Sequence, residues 1–326
     1  MLKMHLKTAM IMLFSLTVFF VSPKEGYSQK SKEKKEDTAE KKDSTQKDKV
    51  KTFADIITDE AVSTEGLFTV HKVKKKYYFE IPDTIFGRDI MAITRMAKTP
   101  TGAGYGGELG NRQVVRFEMG PDENVFMRVV SYVNMSADTL QPIYQAVEKS
   151  NVHPIAAAFK VEALRKDTSV LIEVGDFFNK PNQAFDLPPS TMKRYNLKSI
   201  AKDRSYIESI KSFPINTEIR TVKTYIAGAP SPGGNQNNRT TYLRGGNQAG
   251  AVTFELNTSM ILLPKEPMRR RMFDPRVGIF ANSFTTFDGN EQRAEREVFT
   301  VRWRLEAKSE ADAIRQQNGE LIEPQK

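Results

Sequence analysis

From Leu67 onward the apolar residues of this chain recur with a period of two, which restricts them to strands with one buried and one wet face. Leu67-Phe68-Thr69-Val70 leads into Lys76-Tyr77-Tyr78-Phe79-Glu80-Ile81, with the polar Lys74-Lys75 between them and Pro82-Asp83 after. Asp89–Met96, Gln113–Met119, Val125–Val133, Ala156–Leu164, Ser169–Val174, Glu218–Ile226, Ala251–Leu263 and Val298–Glu306 follow, bounded mostly by Gly, Pro, Asp or Asn. In the last run Val301, Trp303 and Leu305 alternate with Arg302 and Arg304, so the apolar three are expected on a buried face. About ten strands at short spacing predict a mainly β (α+β) fold, with antiparallel sheets in a sandwich or barrel-like arrangement and a few short helices.

Helical signals are sparse. Thr52–Glu60 reads as one short turn region and Pro142–Lys149 as another, with Pro near its start. Ser309-Glu310-Ala311-Asp312 is a capping-box pattern, and Gly319 closes that helix. Ala229–Gly250, with five Gly, two Pro and the polar Asn235–Asn238, reads as a long loop. The organisation expected is a signal peptide (1–28), a disordered charged tether (29–51), a small β domain or subdomain (52–100), a larger antiparallel β domain (101–307), and a short helix and linker (308–326).

The N-terminal expectation rests on charge and length. Lys3 and Lys7 precede the apolar run Ala9–Val21, which as a helix would reach only about 20 Å, short of a ~30 Å hydrocarbon core. Gly26-Tyr27-Ser28 suits cleavage before Gln29, so export to a periplasm or beyond follows, with no stable membrane span after cleavage. Lys30–Lys51 holds nine Lys and six Asp/Glu, with only Ala39 and Val50 apolar, too little to offset its ordering entropy. The net charge is +9, of which residues 1–28 carry +2 and the tether +3, leaving +4 from Thr52 onward. Mixed signs in the tether and this modest remainder argue against a nucleic-acid partner.

Composition excludes much chemistry. With no Cys there is no disulfide, thiol nucleophile, iron–sulfur cluster or Cys-ligated zinc. Beyond His5, only His71 and His153 remain, and no His-Glu-x-x-His occurs. Both are expected to be structural or exposed, His153 before Pro154 and His71 on a strand edge. Serine-nucleophile chemistry is disfavoured by the same shortage and by the lack of G-x-S-x-G. Gly102-Ala103-Gly104-Tyr105-Gly106-Gly107 matches G-x-G-x-x-G, yet an alternating run follows where a helix is needed, so it reads as a β–β loop. No catalytic residue and no metal ligand is assigned. The densest cluster is Met268–Gly278, where Arg269, Arg270, Arg271, Asp274 and Arg276 form a candidate partner-binding corner, with Arg276 able to fork back onto a carboxylate.

Tyr78-Phe79-Glu80-Ile81-Pro82, Gly87-Arg88-Asp89, Ser259-Met260-Ile261-Leu262-Leu263-Pro264, Phe273–Gly278 and Val301–Leu305 resemble runs of one family, in the same order. These are the large, secreted, zinc-dependent metalloproteases of Gram-negative bacteria, in which two domains of unknown function precede a metzincin-like catalytic domain. The resemblance implies a non-catalytic N-terminal region that packs against a metallopeptidase catalytic domain, in cis or from a split frame, and that contacts peptide substrate. It places zinc and its ligands in that catalytic domain, beyond Lys326, so this chain itself is expected to hold no cofactor. The rival expectation is a free-standing peptide- or glycan-binding module with an aromatic-lined cleft near Tyr105 or Tyr242. A third is a hydrolase working through a carboxylate pair. An exposed apolar patch around Trp303 and Phe280 would favour the first.

Overall fold

The computed structural model describes residues 52–132, 134–136, 140–165, 168–229, 243–288, 293–304, 306–307, 309–320 and 324–325. The expected signal peptide and tether lie outside these. Residues 49–326 form one compact unit. No helix among the described residues is long and apolar enough to cross a membrane.

The fold is mainly β. Its strands are β1 (Val62–Thr64), β2 (Thr69–Val73), β3 (Lys76–Pro82), β4 (Asp89–Lys98), β5 (Leu109–Met119), β6 (Asn124–Val130), β7 (Asn134–Met135), β8 (Ile155–Arg165) and β9 (Ser169–Glu173). They continue with β10 (Leu197–Ile200), β11 (Tyr206–Phe213), β12 (Asn216–Ala227), β13 (Ala251–Leu262), β14 (Ala281–Thr286), β15 (Glu295–Thr300), β16 (Glu306–Ala307) and β17 (Pro324–Gln325). The helices are short: α1 (Phe53–Ile56), α2 (Pro142–Ser150), α3 (Gly175–Asn179), α4 (Pro189–Arg194), α5 (Arg244–Ala249) and α6 (Glu310–Gln317).

One antiparallel sheet runs β1-β2-β3-β9-β8-β6-β5-β4-β13-β12-β10, and β11 pairs with β12 beside β10. The loop near residue 100 does not divide this sheet. β3 pairs with β9 and β4 with both β5 and β13, so strands of 52–100 and of 101–307 interleave. Register shifts in the β4–β5, β4–β13, β6–β8, β8–β9 and β11–β12 pairs bend the strands. The sheet curls into a half-barrel until the turn before β2 meets β11, where the Leu67 amide donates to the Phe213 carbonyl at 2.7 Å.

Alternation decides what fills the curl. Along β4, Ile90, Ala92, Thr94 and Met96 are buried while their neighbours are at least partly exposed. β3 is buried on both faces: Tyr77, Phe79 and Ile81 enter the main core, while Tyr78 lies under α1 with Ile56, Ala163 and Leu171. Stacked and edge-on phenylalanines bind the main core, Phe68 to Phe79 at 4.9 Å and Phe68 to Phe117 at 5.7 Å between ring centroids. A second core gathers Met96, Leu187, Tyr195, Tyr225, Leu243, Val252, Phe254 and Leu256.

Two sequence readings need correction. The stretch 229–250 is not all loop: α5 closes it, anchored by the buried Leu243, whose amide donates to Asn247 Oδ1, and ended by Gly250 at φ 64°. Residues 230–242 lie outside the described set. The strand expected over Val298–Glu306 stops at Thr300, because its partner β14 begins at Ala281, opposite Thr300. The glycine run 102–107 does join two strands, β4 and β5, with Gly102, Gly104 and Gly107 at positive φ.

Candidate functional site

The arginine corner is built by chain pairing. After β13, residues 271–273 run antiparallel to β15: Thr300 N–H donates to Arg271 O at 2.9 Å, and Phe273 N–H to Val298 O at 3.0 Å. Arg302 donates to the Arg269 carbonyl, and Arg304 Nη1 to the Glu266 carbonyl at 2.9 Å. β15 pairs on its other edge with β14, which in turn lies parallel to β7.

This geometry divides the five expected partner-binding residues. Asp274 opens a turn closed by Val277 N–H to Asp274 O at 3.0 Å, and Arg276 forks back with Nε and Nη2 at 3.0 and 2.6 Å from the Asp274 carboxylate. That bond holds the Asp274 carboxyl below its ordinary range and the Arg276 guanidinium above its own. Both groups face water, so the pair shapes the turn and adds little stability. The Arg270 guanidinium lies 5.0 Å over the Phe299 ring. Arg269 and Arg271 lend backbone carbonyls to the ladder and keep their side chains exposed.

Beside the corner lies an apolar face. Phe280 is 89% and Trp303 88% exposed, with Met272, Val277, Ile279 and Val301 also open. The Val301 amide donates to the Phe280 carbonyl at 2.8 Å, so Phe280 and Val301 sit side by side just past the end of the β14–β15 ladder. Val301 and Trp303, expected on a buried face, are therefore on a surface one; Leu305 lies outside the described residues.

A second constellation is internal. Thr94, Thr258, Thr221, Lys223 and Asp186 are buried between the two apolar cores, forming a polar seam. Thr94 and Thr258 share a hydroxyl hydrogen bond of 2.7 Å. Lys223 Nζ stands 3.2 Å from Asp186 Oδ1 and donates to the Phe178 and Lys180 carbonyls. Asp186 Oδ2 accepts from Asn182 N–H at 2.8 Å. Burial pushes the Asp186 carboxyl up and the Lys223 ammonium down, each opposed by the charge of the other. Sequence reading missed this pair, although the inward alternation Ile219, Thr221, Lys223, Tyr225 marks it.

The segment carrying Asp186 roofs a groove of about 580 Å³, lined by Asn111, Gln113, Val129, Pro154, Ala156 and residues 181–184, 188 and 189. Its lining has no ionisable and no aromatic side chain. Tyr105 is exposed away from it, and Tyr242 is outside the described residues. Among the described residues, no group of three or more His, Asp or Glu is placed to hold a metal ion.

The histidine readings divide. His153 is partly exposed, its carbonyl accepting from Arg128 Nη1 at 2.8 Å. His71 is buried, with Nδ1 2.7 Å from Ser63 Oγ and Nε2 3.0 Å from Glu80 Oε2.

The chain is thus a curled antiparallel β protein with an exposed aromatic face. Residues 107–308, more than half of it, match the family described as Domain of unknown function (DUF5117), and the chain belongs to that family. Residues 50–99 match a second, Domain of unknown function (DUF5118). Neither description assigns an activity, and neither carries the metalloprotease resemblance with it. No curated protein and no solved structure matches the chain.

Proposed function

We propose that this chain is the non-catalytic scaffold region of an exported zinc metallopeptidase, and that its Phe280–Trp303 face seats the catalytic domain. The observation that carries this reading is the exposure of two large aromatics on adjoining ladder segments, with four further apolar side chains open around them. Such a patch on a soluble domain marks a contact surface, since aromatic anchors supply much of the energy of an interface. Arg302 and Arg304, tied back to backbone carbonyls, give the patch a polar rim. Zinc and the catalytic Glu belong, on this reading, to the partner domain. A peptide- or glycan-binding module is favoured less, because the groove has no aromatic side chain for a sugar to stack on.

The test begins with the coding sequence adjoining codon 326, searched for His-Glu-x-x-His. The encoded domain, coexpressed with this chain, should copurify with it, and Phe280→Ser with Trp303→Ser should break the complex. Chelator-sensitive peptide cleavage by the purified chain alone would overturn the proposal. So would a complex indifferent to both substitutions.

A further inference from the structure

Three elements bring a hydroxyl, an imidazole and a carboxylate into line on the outer side of the sheet. Ser63 on β1 lies opposite His71 on β2, and Glu80 on β3 stands behind the ring. Glu80 Oε1 receives Ser169 Oγ–H at 2.6 Å and Arg165 Nη1 at 3.1 Å, a pattern of donors suited to an acceptor-only carboxylate. The proton on His71 therefore resides on Nε2, directed at Glu80, and the Nδ1 lone pair accepts from Ser63 Oγ–H. The ring is held in place by burial and by Phe53, edge-on at 5.8 Å, which is itself covered by the Arg165 guanidinium at 4.2 Å. Ser63, unlike His71 and Glu80, is exposed.

We propose that Ser63 is a nucleophile with His71 as its general base and Glu80 as the positioning residue, and that it cleaves small esters. The arrangement is that of a hydroxyl activated by a base that a third group orients. Ser63 Oγ bonds to the ester carbonyl carbon as its proton passes to His71 Nδ1. The bond from that carbon to the alcohol oxygen then breaks, and the alcohol leaves with the proton from Nδ1. Water repeats the sequence on the acyl-serine, giving up a proton to Nδ1, and the carboxylic acid departs as Ser63 recovers its hydrogen. No strand pairs with the outer edge of β1 among the described residues, which leaves its outward N–H groups as the donors for the oxyanion. The serine sits on a strand edge outside the groove, which restricts the substrate to small, intrinsically reactive esters.

The experiment treats the full chain with a fluorophosphonate probe, maps the labelled peptide by mass spectrometry, and follows p-nitrophenyl acetate hydrolysis in the presence of chelator. A single label on Ser63, lost in Ser63→Ala, and chelator-insensitive hydrolysis reduced at least tenfold in that variant are expected. The labelling rate of the unsubstituted chain should depend on pH, because attack needs an acceptor for the Ser63 proton. The groups facing His71 are Ser63, Tyr78, Glu80 and the Phe53 ring, with Arg165 and Ser169 behind Glu80. Glu80→Gln, folded as judged by circular dichroism, should move that pH profile, which a merely structural carboxylate would not. No label, a label that survives in Ser63→Ala, or a rate flat with pH would overturn the proposal. These readouts are independent of the metallopeptidase reading, because no partner domain or zinc enters them.

Discussion

The amide of Leu67 donates to the carbonyl of Phe213 at 2.7 Å, joining the turn before β2 to the strand at the opposite edge of the same sheet. Gly66 makes the approach possible. A Cβ there would fall 2.5 Å from Phe213 N and 2.6 Å from its O, both backbone atoms that cannot move aside alone. Gly66→Ala should therefore cost about 1–3 kcal/mol through overpacking, read as a lower urea midpoint. An unchanged midpoint would show that the two edges are not held together there.

Lys223 offers a second test. Lys223→Met leaves the Asp186 carboxylate buried and takes the ammonium donor from the Phe178 and Lys180 carbonyls. A loss of about 3–5 kcal/mol is expected, as for other broken buried pairs. The pH dependence has a defined sign. Because burial lowers the folded pKa of Lys223, the folded chain binds fewer protons than the unfolded one between that value and 10.5. Its stability deficit is greatest below this window and is relieved as pH rises through it. Denaturation at pH values rising toward 10.5 should show the rise in the unsubstituted chain and a flatter profile in Lys223→Met.

The chain has one tryptophan, so its fluorescence reports on Trp303 alone. At 88% exposure the emission should be that of an indole in water, and acrylamide should quench it as it quenches a free indole derivative. Blue-shifted, protected emission from the isolated chain at low concentration would mean that the face is already covered.

The shared sheet makes a prediction about fragments. Residues 50–99 and 107–308 match separate families, yet β3 draws its hydrogen bonds from β2 and β9, and β4 from β5 and β13. Expressed alone, 50–99 should give the circular dichroism of an unfolded chain, with strand signal recovered on mixing with 107–308. A cooperative thermal transition in isolated 50–99 would contradict this.

Much of the strand pattern was legible in the chain. The runs Lys76–Ile81, Asp89–Met96, Val125–Val133 and Ala251–Leu263 all carry strands in the structure, because side-chain alternation is a local consequence of the extended backbone. The strands β10, β11 and β14 went unread: β11 is as polar as it is apolar, Tyr-Ile-Glu-Ser-Ile-Lys-Ser-Phe, and β14 carries mostly Ala, Asn, Ser and Thr. The helix at 310–317 was visible through Ser309, which does cap it by accepting from Asp312 N–H. Asp274 and Arg276 were also visible, because a pair two residues apart across a Pro turn needs no distant partner.

Period, turn residues and the missing cysteines thus determined the class of the fold and excluded thiol chemistry and Cys-ligated metals. The tertiary structure decided the rest. Whether Trp303 is core or surface depends on where β14 stops, and whether Lys223 faces water depends on a seam between two cores contributed by distant strands. His71 stands between Ser63 and Glu80 only because three strands pair in one register, and a slip of one residue would turn those side chains to opposite faces. Local alternation is written in the backbone of each segment, whereas register and curl arise from contacts between segments that no single stretch contains.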